Sequence, residues 1–396
     1  MSVNEPLRQL QSVRTFEPAQ LGARIDAVLK QTLSDQRLVG AVVLVAQGGK
    51  LIYHRATGLA DREANAPMRE DALFRLSSVS KPITSVAALV LVAQGELGLD
   101  DDISRWLPYF KPTLGDGQPA VITVRQLLSH TAGLGYAFLE SDQGGPYLAA
   151  GVSDGLDHND LTLEENLRRL NKAPLLYKPG SDWGYSIATD VLGGVIAAVT
   201  GTTLEVAIDE LIAKPLGLRE LSFGTTDAAR LVPAYLNDQP QPRRMRELEV
   251  TPVFEGTAGI RLAPARALDT KAYPSGGSGL VGTAGEFLQL LETLRKGGAP
   301  LLPKVLVDEM GKNQTGSLDL ANWPGRGFGL GFTVVKDPAA AQTAESVGTW
   351  RLGGAYGHSW FVDPAEQLTV VAFTNTAFEG MAGQFTVDLC NAVYGE

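Results

Sequence analysis

The chain has 396 residues, 44% of them hydrophobic, enough to bury a sizeable core in two domains or in one large domain with an insertion. Its formal charge of −10 and isoelectric point near 5.1 favour solubility and argue against nucleic acid or an anionic membrane as partner. A single cysteine, Cys390, excludes an intrachain disulfide and a cysteine metal cluster, and the four histidines, His54, His130, His158 and His358, lack metal-type spacing, so no metal and no other cofactor is expected.

Residues 1 to 16 carry no clear pattern, and Met1 to Pro6 lack the basic and apolar regions of a signal peptide, which points to the cytoplasm. Apolar residues at Leu21, Ile25, Val28/Leu29 and Leu33 predict an amphipathic helix from Pro18 to about Gln36. Ala41–Ala46 and Lys50–His54 flank Gly48-Gly49 and read as a β-hairpin. Gly58 to Asp71 reads as a loop leading to an apolar run from Ile83 to Ala93, too short for a membrane span and suited to a central core helix ended by Gly95.

The middle of the chain reads as helices and loops. Helices are expected at Thr123–Ser129, Leu163–Leu170, Asp190–Val199 and Leu204–Ala213. The proline-rich, basic stretch from Gln239 to Arg246 looks the least ordered and solvated. After Tyr273-Pro274-Ser275-Gly276-Gly277-Ser278-Gly279 a helix is expected from Ala284 to Arg295. Phe328–Val335, Gly357–Val362 and Leu368–Asn375 then read as successive antiparallel strands, and Gln384–Tyr394 as a closing helix that buries Cys390. Strands at both ends with helices between predict an α+β fold: one antiparallel sheet with helices on both faces, assembled from residues 1–77 and 271–396, and a mainly helical domain from 78–270.

Three stretches carry candidate chemistry. Ser78 and Lys81 form an S-x-x-K pair at the mouth of the core helix, and a helix places residues i and i+3 on one face. A serine hydroxyl is a poor nucleophile until a base takes its proton, and a desolvated lysine can supply that help. About one such motif is expected by chance in a chain of this size, and Ser77 or Ser78 could simply cap the helix. Tyr185 lies in a turn-rich stretch, Lys178–Ser186, just before an apolar helix. A neighbouring ammonium favours a phenolate, so Tyr185 beside Lys81 could take the proton of Ser78 and later return it to a leaving group; a tyrosine with its ring in the core is the plainer alternative. The pair Gly353-Gly354, leading into a strand, allows close approach of a substrate, and an amide there together with that of Ser78 could bind a developing oxyanion. Gly151-Val152-Ser153-Asp154-Gly155 matches G-x-S-x-G, but its flanks supply neither the strand before nor the helix after that a nucleophile elbow needs. His358 has no evident aspartate partner and reads as structural.

In this order, Ser78-x-x-Lys81, Tyr185-Ser186 about a hundred residues later and a glycine pair at a C-terminal strand, the motifs resemble those of the penicillin-recognising serine hydrolases, which include class C β-lactamases, DD-peptidases and family VIII carboxylesterases. The resemblance covers nearly the whole chain: Leu127–Leu134, Lys178-Pro179-Gly180 and Pro215–Leu218 are also similar to stretches of the group. Gly353 to Asp363 looks most like the family VIII esterases. The resemblance implies a β-lactamase/DD-peptidase-like sheet with a groove against the helical domain and Ser78 at its floor. It implies an acyl-enzyme on Ser78, proton handling by Lys81 and Tyr185, and an oxyanion hole from the amides of Ser78 and Ala355. Tyr136, Trp183, Leu352, Gly353, Gly354 and Trp360 are candidates for contact with substrate by proximity to these motifs.

The departures point to neutral substrates. Ile187 stands where class C enzymes carry asparagine, and Leu352-Gly353-Gly354 where they carry K-T-G. The missing lysine normally engages a substrate carboxylate, so its loss removes the anchor for anionic substrates and costs neutral esters nothing. Glu164-Glu165-Asn166 faintly resembles a class A deacylation loop but reads better as a helix face. The expectation is a serine carboxylesterase for small, short-chain esters. A β-lactamase or D-peptidase, an acyltransferase, and a catalytically silent binding protein remain as alternatives.

Overall fold

The computed structural model describes residues 13–396, so the expectation drawn from Met1 to Pro6 concerns residues outside it. Eight strands form the main sheet: β1 (Gly40–Gln47), β2 (Lys50–Asp61), β3 (Ala66–Pro67), β4 (Arg326–Phe328), β5 (Thr333–Val335), β6 (Trp350–Gly354), β7 (His358–Asp363) and β8 (Leu368–Thr374). Their order is β4-β5-β6-β7-β8-β1-β2-β3. The junction between the two ends of the chain is central, with β1 antiparallel to β8 in register from Ala41↔Thr374 to Gln47↔Leu368.

The helices that matter for the site are α1 (Pro18–Ser34), α2 (Ser80–Ala93), α3 (Val124–Leu128), α4 (Leu163–Leu170), α5 (Ala188–Thr200), α6 (Leu204–Ile208), α7 (Ala284–Arg295) and α8 (Gln384–Tyr394). Alternation along each strand decides which helix it meets. Ala41, Val43, Val45, Phe361, Val370 and Ala372 face α1 and α8, where Leu21, Ile25, Leu29, Phe385, Leu389 and Val393 complete a closed apolar layer. Val42, Leu44, Trp360, Val362, Val371 and Phe373 face the other way, into the larger core shared with α2 and α7. No single helix among the described residues is long and apolar enough to cross a membrane.

Several local expectations are corrected. Phe328–Val335 is not one strand, because Gly329 to Phe332 reverse the chain and make β4 and β5 a hairpin. Gly331 sits there at a φ of +113°, with Ser85 so close that a Cβ would meet its side chain. The loop expected from Gly58 begins later, since β2 continues to Asp61 and β3 pairs back onto it. The helix expected to Ala213 keeps α geometry only to Ile208 and widens into a π turn over Asp209–Ala213. The Gln239–Arg246 stretch is held rather than loose: Arg243 bridges Asp238 and the buried Glu249, and Arg243–Arg244 pairs with Tyr235–Leu236.

Candidate active site

The site begins with α2, whose apolar sequence leaves it buried from Ser80 through Leu91. A 3-10 turn, Ser77–Val79, precedes it, entered through Ser77 in the left-handed region at a φ of +45°. Ser78 is part-exposed at this mouth, and as an early residue of the helical run its N–H has no carbonyl of a preceding turn to bind. Lys81, one turn on, is wholly buried, with Nζ donating to Ser78 Oγ at 3.2 Å and to the carbonyl of Gly277 at 3.0 Å.

A buried ammonium is costly unless it is met by acceptors and opposite charge. Lys81 Nζ lies 4.8 Å from the ring centroid of Tyr185 and 5.4 Å from that of Tyr136, two favourable faces for a cation. Behind Gly277 stands Asp190, from the first turn of α5. Its Oδ1 accepts from the Gly277 amide at 2.7 Å and from Ser275 Oγ at 2.8 Å. Burial pushes the Asp190 carboxyl up to about 6, against those hydrogen bonds and the charge of Lys81, which pull it down. The 275–280 loop is also pinned to α2, since Thr84 Oγ1 donates to the Gly276 carbonyl and the Leu280 amide donates to Ser80 Oγ.

Tyr185 is part-exposed and boxed by aromatic rings: His130 stacked at 5.1 Å, Tyr136 tilted at 5.5 Å and Trp323 edge-on at 5.5 Å. Opposite, β6 passes so close to the turn carrying Ser78 that a Cβ on Gly354 would lie 2.7 Å from the Leu76 carbonyl and 2.7 Å from Ser77 Oγ. Only glycine allows that approach. It brings Ala355 to the turn that carries Ser78, and the next amide, of Tyr356, donates to Ser77 Oγ at 3.4 Å. Alternation puts Leu352 on the same face as Gly354, buried, with no charge to offer.

Ser78, Lys81, Tyr185, Tyr136, Ala355, Gly354 and, on the same face of β6, Leu352 therefore lie in one region, whereas Gly353 faces the other side of β6, where a Cβ would meet Met381. Trp183 lies one layer out, buried against Trp323 and Phe328. Trp360 does not reach the region: it pairs across the sheet with Leu352 but is fully buried between Phe287 and Phe332, a core residue rather than a wall. Its place on β7 turns its ring toward α7.

The G-x-S-x-G serine has no elbow around it. A short helix, Pro146–Ala150, ends at Gly151, and Ser153 is buried with Oγ donating to Asp157 and accepting from Tyr273 Oη at 3.0 Å. His358 hydrogen-bonds the Arg75 carbonyl, and burial holds its imidazole down near about 4. Glu165 closes a capping box with Thr162 at the start of α4. Cys390 is buried, its thiol pushed up to about 11. Among the described residues, no cluster of His, Cys, Asp and Glu is placed to hold a metal. His130, Asp190 and the 275–277 loop also border the site; in the sequence they stand only as part of the Leu127–Leu134 stretch, as the start of the helix expected from Asp190 and as the glycine run Gly276-Gly277.

A family model described as Beta-lactamase matches residues 25–389. The chain belongs to the beta-lactamase family. The chain is 50% identical over 381 residues to esterase EstB of Burkholderia gladioli, covering 96% of this chain and 97% of that one. The structure of EstCE1, described as a hydrolase with promiscuous acyltransferase activity, matches with a TM-score of 0.92 and 46% identity over 96% of this chain and 99% of that one. Simvastatin synthase from Aspergillus terreus, in a mutant form, shares the fold at a TM-score of 0.73 and 23% identity, over 97% of this chain and 99% of its own. The α+β expectation of a β-lactamase-like sheet flanked by helices agrees with these neighbours.

Proposed function

We propose that this beta-lactamase family member is a serine carboxylesterase that hydrolyses small, short-chain carboxylic esters through an acyl-enzyme on Ser78. The observation that carries the reading is the contact of a buried Lys81 with Ser78 Oγ beneath the ring of Tyr185. The groove would run between the sheet portion, 1–77 with 271–396, and the mainly helical portion, 78–270.

In this reading Ser78 Oγ attacks the ester carbonyl while its proton passes to the Lys81–Tyr185 pair. The carbonyl π electrons move to oxygen, and that oxyanion is held by the amides of Ser78 and Ala355; one such donor is worth roughly 2.7–4 kcal/mol. Collapse breaks the bond to the alkoxide, which takes the proton from Tyr185 and leaves as alcohol. Water then enters, gives a proton to Tyr185 and attacks the acyl-enzyme, and Ser78 recovers its proton as the acid departs. Leu352 beside this centre leaves a substrate carboxylate without a cationic partner, which favours neutral esters over carboxylated β-lactams.

Hydrolysis of p-nitrophenyl acetate and butyrate, beside nitrocefin, tests the proposal with wild type, Ser78→Ala and Ser153→Ala. The esters should turn over faster than nitrocefin. Ser78→Ala should lose at least about a thousand-fold in kcat, as expected for removal of a covalent nucleophile, and Ser153→Ala should keep most of its activity. A dead Ser153→Ala beside an active Ser78→Ala would sink the site, and faster nitrocefin turnover would sink the substrate class. Acyl transfer is a second reading, favoured by the promiscuous acyltransferase activity of the similar EstCE1. An added alcohol would then divert acyl-enzyme from acid to a new ester.

A further inference from the structure

His130 has more contacts to the tyrosine segment than packing alone would require. It sits immediately after α3, wholly buried, in the left-handed region at a φ of +58°. Its carbonyl accepts the Gly184 amide at 3.1 Å. Its Nδ1 accepts the Ser186 amide at 3.1 Å and lies 3.0 Å from Ser186 Oγ. Its ring stacks on Tyr185 with planes 24° apart, and meets Phe328 edge-on at 4.9 Å on another side. One residue thus holds the backbone on both sides of Tyr185 and one face of its ring. Nε2 is buried with no hydrogen-bond partner.

We propose that His130 is a positioning residue: a neutral imidazole, protonated on Nε2, that clamps residues 184–186 and so sets the phenol of Tyr185 over Lys81. The tautomer follows from the hydrogen bond, because an Nδ1 that accepts an amide N–H must carry a lone pair there. Burial, with the Lys81 charge nearby, holds the imidazole well below its ordinary range, so a second proton finds no place on it. The left-handed backbone narrows the residue types that can replace it, and asparagine tolerates that region best among side chains with an acceptor at the position of Nδ1. This inference rests on the esterase reading only in taking Tyr185 as the proton carrier.

Two substitutions separate the clamp from simple packing. His130→Asn keeps an acceptor for the Ser186 amide and suits the backbone, while losing the ring stack. His130→Phe keeps a stacking ring but leaves that buried amide unpaired. With active sites counted by fluorophosphonate labelling, His130→Phe should lose about 100-fold in kcat, the scale of a catalytic group displaced by about 1 Å, with KM little changed. His130→Asn should stay within about tenfold of wild type. Equal losses in the two, or a His130→Phe enzyme as active per labelled site as wild type, would overturn the clamp.

A measurement on wild type covers the case in which His130→Phe does not fold. In protein labelled with ¹⁵N-histidine, the resonances missing from His130→Asn belong to His130. They should report one Nε2–H tautomer, unchanged across the pH range of activity. An Nδ1–H tautomer, or a titration that follows the activity profile, would overturn the proposal. A wild type inert towards every ester, yet with this fixed tautomer, would count against the esterase reading and not against the clamp.

Discussion

Tyr185 is held by its ring, and in the proposed mechanism it acts through its hydroxyl, so the two can be separated. Phenylalanine at 185 would keep the contacts with His130, Tyr136 and Trp323, so folding and ground-state binding should survive. The lost proton transfer should lower kcat by about 10²–10⁴-fold with KM within a few-fold. Equal activity of Tyr185→Phe and wild type would remove the tyrosine from the mechanism. Asp154 gives a different test. Both its oxygens accept amides, from Ala137 and Phe138, next to Tyr136, and burial pushes its carboxyl up to about 7. The folded protein therefore holds this proton more tightly than the unfolded chain, whose carboxyl titrates near about 3.9. Such a group adds stability below about pH 4 that is lost as pH rises through 7. The difference in melting temperature between wild type and Asp154→Asn should shrink from pH 4 to pH 8, and a difference independent of pH would refute the assignment.

The Ser77–Val79 turn and β6 form one unit, because the strand can lie against Ser77 only while residue 354 has no side chain. Gly354→Ala would drive a Cβ into the Leu76 carbonyl and Ser77 Oγ, part the strand from the turn and pull Ala355 away from Ser78. Activity should fall by at least about tenfold, the cost expected when an oxyanion donor is displaced, and the melting temperature should drop with it. Gly285→Ala is the control. A Cβ there meets nothing within 4 Å in the first turn of α7, so the exchange should be neutral or stabilise by roughly 0.5–1 kcal/mol. An unchanged Gly354→Ala would mean the approach is not needed. What was legible in the sequence follows the same division. The helices at 163–170, 284–295 and 384–394 were readable to the residue because their apolar periods are complete within the segment, and the first two are capped by Thr162 and Thr283. Ser78 and Lys81 were readable because helical spacing alone joins them. Asp190, His130 and the 275–277 loop reach Lys81 and Tyr185 only through packing between segments far apart in the chain, which no local pattern encodes. Trp360 lies on the same face of the sheet as Leu352, but Phe287 of α7 and Phe332 pack against it there, and nearness to a motif does not show which neighbours will cover a side chain.

The sheet closes only when the two ends of the chain meet, since β1 has β8 on one side and β2 on the other. α1 and α8 cover the same face, so the layer under α1 is finished by the last helix of the chain. Long-range pairing of this kind must form against loop-closure entropy before it is rewarded, which makes the C-terminal segment a condition of folding rather than an addition to it. A chain ending at residue 383 would lose Phe385, Leu389 and Val393, all buried in that layer, and with them the cover of Leu21, Ile25 and Phe361. At about 1.5–3 kcal/mol for each large apolar side chain removed, the three alone forfeit roughly 4.5–9 kcal/mol, comparable with the whole stability of an ordinary domain, about 5–15 kcal/mol. Tyr394, which donates to Asp363 Oδ2 at 2.7 Å, adds a buried carboxylate left without that donor. The truncated chain should therefore show no cooperative melt by circular dichroism and no fluorophosphonate labelling at Ser78, although every residue of the candidate site is still present. A cooperative melt with normal labelling would mean that the sheet and the site around Ser78 fold without α8 covering the face shared with α1.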